Sequence, residues 1–367
     1  MKLFDGILAL GIFQAVAGHT VFTTLFVNDI NQGDGTCIRM PKNAETATNP
    51  INNLAGEEMS CGFDGTKGVP RICSVKQSST LSFLFQAYPD GSQAGVIDDS
   101  HKGPCAVYMK YVTSAINDTA VGDGWFKIWD EGYEFSTGQW CTEKLIQNNG
   151  LLTTTIPADL AAGYYLVRPE ILTLHESDKR PPNPQFYVGC AQIFLESAAT
   201  AGVQRTFSIP GYISIHDPAV LFNIYKPKWP APRVGPAPYV SGSGSYEITT
   251  AKKSQEEGLA LKNAVLTNAN WAAVEVDSYS TEDGCWTGSS NCFKQLGVCY
   301  ETAPPTGSAG CRIWEDHCMA IQKGCNNGKF NGPPALNTPA LVATRMLHKS
   351  RSVQPLRHKH QRPHWRY

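Results

Sequence analysis

Between residues 19 and 228, short apolar stretches alternate with Gly, Pro, Asn and Asp. Thr80 to Ala87 (TLSFLFQA), Cys105 to Val112 (CAVYMKYV), Gly163 to Pro169 (GYYLVRP), Tyr187 to Leu195 (YVGCAQIFL) and Ala219 to Ile224 (AVLFNI) are rich in aromatic and β-branched residues. That content, at turn-rich spacing, predicts strands of an antiparallel β-sandwich, with no long amphipathic helix in this part. The pattern stops at WPAPRVGPAPYVSGSGSYEI, residues 229–248, a Pro, Gly and Ser composition that reads as a linker over 229–253. Beyond it the texture changes again, and Ser254 to Asn270 reads as helical.

Cysteines then fall at 285, 292 and 299, and again at 311, 318 and 325. A step of seven is about two helical turns, which puts three thiols on one helix face. The intervening ETAPPTGSAG has the Pro and Gly of a helix–helix turn. Two such helices packed antiparallel would pair Cys285–Cys325, Cys292–Cys318 and Cys299–Cys311. The TGSS run after Cys285 argues mildly against a regular helix. This six-cysteine module, residues 254–333, reads either as a carbohydrate- or wall-binding unit or as a stapled spacer.

Composition narrows the setting. Twelve cysteines, six on each side of the linker, fit an oxidising compartment with disulfides closed within each half. Residues 1–18, MKLFDGILALGIFQAVAG, have the basic start, apolar run and small residues of a secretory leader. Asp5 is unusual there, and the run is too short to span a membrane. A cut after Gly18 is favoured over one after Ala17, and no other segment could cross a bilayer, so the expected location is extracellular. The net charge is −1, which makes no case for a nucleic-acid partner. The last segment, 334–367, is basic and His-rich (His348, His358, His360, His364) and reads as a solvated, disordered tail. Asn117-Asp118-Thr119 is a candidate glycan acceptor.

A cut after Gly18 would make His19 the first residue, with two metal donors, its α-amine and its imidazole. Amine and imidazole nitrogens suit Cu(II), which prefers a tetragonal arrangement. Only His101, His175 and His216 remain as histidines before the linker. His101 sits in DSHKGP, a turn before a predicted strand. Gln185 and Tyr187, two apart in NPQFYVGC, share one face of a strand. Each alone has an ordinary structural explanation.

Together, in order, they resemble the lytic polysaccharide monooxygenases of auxiliary activity family 9: the N-terminal His, SHKGP, RPEILTLH at Arg168 to His175, and QFYxxC. The resemblance covers roughly residues 19–228. It implies an all-β, immunoglobulin-like or fibronectin III-like sandwich and one copper per catalytic domain. His19 and His101 would give the three nitrogens and Tyr187 the axial oxygen. His175 and Gln185 would orient or protonate a copper-bound oxygen species. Cys61 and Cys190 match the family's inter-sheet disulfide; the other four cysteines then pair among themselves, with Cys37–Cys73 and Cys105–Cys141 chosen only by order along the chain. Tyr212 falls where family members often present a substrate-stacking tyrosine. His216 matches no family element and is expected at the surface; His317, between cysteines, is expected to be structural.

The implied activity is oxidative cleavage of crystalline β-1,4-glucan, cellulose or hemicellulose, with O2 or H2O2 and an external reductant. Two rivals remain: a non-catalytic polysaccharide- or copper-binding sandwich, and a glycoside hydrolase. No motif nominates the carboxylate pair a hydrolase would need.

Overall fold

A computed structural model describes residues 18–242, 245–249 and 251–337. The leader and the basic tail, apart from Gly18 and residues 334–337, lie outside the described residues. The elements are, in chain order, β1 Val21–Val27, β2 Ile30–Asp34, β3 Ile38–Arg39, α1 Glu58–Cys61, β4 Cys73–Lys76, β5 Thr80–Gln86, β6 Cys105–Val112, β7 Gly122–Glu131, β8 Tyr133–Glu134, β9 Gln139–Trp140, α2 Cys141–Gln147 and β10 Leu151–Thr155. Then follow β11 Gly163–Thr173, β12 Gln185–Val188, β13 Cys190–Glu196, β14 Ala201–Val203, β15 Phe207–Ile209, β16 Ser245–Glu247, β17 Ala264–Asn268, β18 Trp271–Val274, α3 Glu282–Thr302 and α4 Ala309–Asn326.

One sheet has the order β10-β5-β1-β2; the other runs β15-β7-β6-β11-β13-β3, with β12 also on β11 and β4 parallel to β13. Alternation along β6 sorts its side chains into two cores. Cys105, Val107 and Met109 join the core between the sheets, while Ala106, Tyr108 and Val112 join a second core on the outer face. The larger sheet is therefore buried on both sides, which is why every residue of β11 is buried.

The predicted strand Tyr187 to Leu195 is divided at Gly189. Both halves keep one register on β11, with Glu170 opposite Val188 and Val167 opposite Ala191. The break thus falls opposite Pro169, which has no N–H to give the ladder. Ala219 to Ile224 is not a strand. The Asp217 carbonyl accepts from Val220 N and Leu221 N, its carboxylate accepts from Ala219 N, and the turn buries Val220 and Phe222 without pairing.

Two expectations beyond the sandwich change as well. Ser254 to Asn270 is not helical. Tyr164 Oη accepts from Glu256 N and Glu257 N, and Gly258 O accepts from Ile72 N, so this stretch is held extended against the sandwich before β17. Residues 229–253 are not a free tether either. Trp229 joins an aromatic cluster with Tyr133, Phe135 and Phe222, Val234 O accepts from the buried Lys127 ammonium, and Tyr239 and Gly242 donate to Asp159. β16 then pairs with β14.

The cysteine ladder forms in the predicted register: Cys285–Cys325, Cys292–Cys318 and Cys299–Cys311 link α3 to α4. Cys37–Cys73, Cys61–Cys190 and Cys105–Cys141 staple the sandwich. The six half-cystines of the hairpin, with Trp314 and Ile321, are its core. Thr281 caps α3 by accepting from Gly284 N, and Glu282 and Asp283 complement the helix dipole in the first turn. His317 is buried as expected, its Nε2 2.9 Å from Glu275 Oε1. The β17–β18 turn joins the hairpin to the sandwich: Asn268 accepts from Gly310 N on α4, and Asn270 donates to Gly35 O and accepts from Cys37 N.

Candidate metal centre

The site is assembled where β1 begins, where the loop before β6 turns, and along β12. His101 closes a turn started by Asp98, whose carbonyl accepts from His101 N at 2.9 Å. The Asp98 carboxylate accepts from both Ser100 N and Ser100 Oγ, and is held below its usual range chiefly by those bonds. Ser100 thus commits its proton to Asp98 and turns a lone pair toward His101 Nδ1, 3.3 Å away. That favours the tautomer protonated on Nδ1 and leaves Nε2 bare. The loop is fixed from behind. Leu174 N donates to Lys102 O, and Gly103 crosses so close to β11 that a Cβ there would sit 1.9 Å from Leu172 O.

The rings of His19 and His101 stand 6.0 Å apart, with the Tyr187 ring 6.0 Å from His19 and 6.2 Å from His101. His175 follows β11 and stacks on His101 at 3.9 Å. Tyr187 is buried on the core side and donates to Gln185 Oε1 at 2.8 Å. Burial pushes its phenol well above the ordinary range, so it stays protonated. Burial, with His175 beside it, lowers His101 to about 4, so its imidazole is neutral at physiological pH. Burial also lowers His19 and His175. The structure brings together His19, His101, His175, Gln185 and Tyr187.

Among the described residues, His101 Nε2 is buried with no hydrogen-bond partner. A buried nitrogen left bare is costly unless something else takes its lone pair. No group of three His, Cys, Asp or Glu side chains among the described residues is placed to hold a metal ion. With His19 and His101 as the imidazole donors, a third nitrogen would come from the backbone. A Cβ built on Gly18 would lie 3.2 Å from His101 Cε1 and 3.8 Å from Nε2, so the Gly18–His19 peptide lies against this imidazole. Cutting that bond would free an amine beside it. Two neutral imidazoles, an amine and a phenol form a donor set that fits copper.

The model of Auxiliary Activity family 9 (formerly GH61) matches residues 19–232. The chain belongs to this family. AA9 family lytic polysaccharide monooxygenase H of Botryotinia fuckeliana (strain B05.10) is 62% identical over 333 residues, covering 88% of this chain and 76% of that protein. AA9 family lytic polysaccharide monooxygenase C of Aspergillus tamarii is 48% identical over 340 residues, covering 90% of this chain and 91% of its own. Matches of that length cannot stop at the sandwich; they run into the cysteine hairpin. The solved structure of CvAA9A aligns with a TM-score of 0.55 at 32% identity, over 60% of this chain and 98% of its own.

Tyr212, the expected substrate-stacking residue, is half-buried and has a structural task in this AA9 chain. Its hydroxyl donates to Glu170, which also binds Arg168 NH1 at 2.6 Å and Tyr108 Oη at 3.0 Å, and its ring stacks on Phe207. The ring serves a buried polar network on the outer face of the larger sheet. Asn117 is exposed in the turn after β6, and His216 is exposed.

Sequence reasoning missed three groups. Glu176 acts electrostatically on His19, His101 and His175 while accepting from Lys179 and Asn183. Ser100 orients His101. Tyr225, 56% exposed, donates to His175 O at 2.7 Å. Glu176 and Ser100 adjoin histidines already singled out, so adjacency was the available signal; Tyr225 had none.

Proposed function

We propose that this AA9 chain is a secreted, copper-dependent lytic polysaccharide monooxygenase that cleaves β-1,4-linked glucan, cellulose foremost, at C1 or C4. The observation that carries the reading is the bare, buried Nε2 of His101 beside the Gly18–His19 peptide. In this reading residues 1–18 are a leader, and its removal makes the His19 amine a ligand. His19 and His101 would hold the copper through three nitrogens, with Tyr187 closing the core side.

A copper ion held there supplies a reducible centre that activates O2 or H2O2 for hydrogen abstraction from the sugar, once an external donor delivers electrons. The chain's own residues do the rest. Tyr187, kept protonated, blocks approach from the core and fixes Gln185 through its hydroxyl. Gln185 and His175 flank the same pocket, where an amide and an imidazole nitrogen can orient an oxygen co-substrate or pass it a proton. The exposed Tyr225 ring offers a surface for a sugar next to His175.

The carboxylates acting on these histidines do not support a hydrolase. Glu176 is bound by Lys179 and Asn183, and Asp98 is committed to Ser100. The test is mass spectrometry of products from cellulose incubated with the copper-loaded protein, with and without ascorbate. Oxidised oligosaccharides that need both copper and reductant are expected. Unoxidised sugars released without reductant would mean a hydrolase, and copper binding with no product would mean a binding protein. Sequencing the secreted protein must also find His19 first.

A further inference from the structure

Three aromatic residues follow the cysteines of α3: Trp286, Phe293 and Tyr300. At a step of seven residues they recur about every 10.5 Å along one helix face. Trp286 is 39% and Tyr300 42% exposed, and Phe293 is half-buried on the cysteine core. The positions between them on that face are Ser290 and Gly297.

Gly297 has no local reason to be glycine. Among the described residues, a Cβ there would meet no atom within 4 Å, whereas Gly288 faces Tyr279 at 3.2 Å. A mid-helix glycine costs stability relative to alanine, so open space around one is informative. It keeps the helix surface low between Phe293 and Tyr300. The α3 residues of the stripe are uncharged and the carboxylate of Glu315 meets it at Tyr300, which disfavours nucleic acid or an acidic peptide as its ligand.

We propose that this face is a polysaccharide-binding platform for an extended β-1,4-linked glucan at a solid surface. Such a chain turns over with each sugar and presents like ring faces at every second residue, the scale of the Trp286–Phe293–Tyr300 step. Aromatic rings stack on those apolar pyranose faces, and the low residues between them let the chain lie flat. Tyr300 Oη donates to Glu315 on α4, which fixes the third ring. Asn268 accepts from Gly310 N on α4, and Asn270 beside it binds Gly35 and Cys37 between β2 and β3, which holds the platform to the sandwich in place of a flexible tether. The inference rests on the proposed function only for its choice of ligand.

The test is adsorption of the full, copper-free protein to microcrystalline cellulose. Trp286→Ala with Tyr300→Ala should weaken adsorption about tenfold, given roughly a kcal/mol or more for the two lost ring contacts. Tyr300→Phe keeps the ring and loses only the Glu315 bond, so it should adsorb more strongly than the double alanine variant. Gly297→Gln should adsorb more weakly while melting no lower than wild type, because it fills the low position yet favours the helix. Wild-type protein that does not adsorb, or variants that all adsorb equally, would overturn the proposal. Oxidation of a soluble β-1,4-glucan oligosaccharide is read separately. If no protein yields oxidised product but adsorption follows the expected order, the proposed function fails and the platform stands.

Discussion

Tyr212→Phe separates a structural from a substrate-binding tyrosine, because it removes only the hydroxyl. That hydroxyl donates to Glu170, whose carboxylate also binds Tyr108 and the fully buried Arg168 guanidinium. The ring, stacked on Phe207 and edge-on to Tyr108 at 5.6 Å, stays in place. The main loss is the hydrogen bond to the charged Glu170, about 1.5–3 kcal/mol, with a long 3.5 Å bond accepted from Arg168 lost beside it. The Arg168–Glu170 pair survives, so the larger cost of an uncompensated buried charge is avoided. At roughly 2–4 °C per kcal/mol for a domain of this size, the melting point should fall by roughly 3–12 °C. Calorimetry of the copper-free protein reads this, with cellulose adsorption measured in parallel. The structural account expects lower stability and unchanged adsorption. A variant that melts like wild type but adsorbs less would refute it and return Tyr212 to the substrate surface.

Other outcomes follow from the same geometry. His101→Gln should leave the fold intact and weaken copper binding more than about 100-fold by calorimetric titration, since even changing a ligand's supporting partner costs 10–100-fold. Gly103→Ala puts a methyl 1.9 Å from Leu172 O, so the Asp98–Lys102 loop must shift; copper affinity should drop although no ligand has changed. Asp159 accepts from Tyr239 Oη, Ser241 Oγ and Gly242 N; burial would raise its pKa, but these donors outweigh it and hold the carboxyl below the usual value. A depressed carboxylate stabilises above its unfolded pKa, about 3.9, and loses that as pH falls through the folded value. Amide protection factors at residues 239–242 should therefore fall below about pH 3.9, and Asp159→Asn should show low protection already at neutral pH.

What the sequence made legible depended on range. Cys105 to Val112 was readable because its alternation serves two cores at once, and the cysteine ladder because a step of seven fixes a helix face. Ala219 to Ile224 misled because burial alone gives no strand; Asp217 turns that chain locally. Residues 229–253 have a linker's composition, but Lys127 and Asp159, distant in sequence, pin them to the sandwich. The structural task of Tyr212 was not legible because its partner Glu170 lies 42 residues away. The metal centre was legible only as an order of motifs. Adjacency pointed to Ser100, but nothing local to His101 announces that His175 will stack on it.

His19 itself is conditional on processing. In the uncut chain its nitrogen is an amide, whose lone pair is delocalised and does not bind metal. Gly18 O then accepts from Asp98 N at 3.2 Å, and the Asp98 side chain holds the hydroxyl that orients His101. One residue therefore both anchors the peptide before the cut and presets the imidazole that stands beside it. Once the Gly18–His19 bond is broken, the new amine has an ordinary pKa of about 7.7–8.0, so near neutral pH it needs to release only one loosely held proton to bind metal. His101, already neutral and bare at Nε2, needs to release none from that nitrogen. In the proposed reading the two ligands would be prepared by different means: burial and a serine ready His101 in the folded chain, whereas His19 would wait on a peptidase.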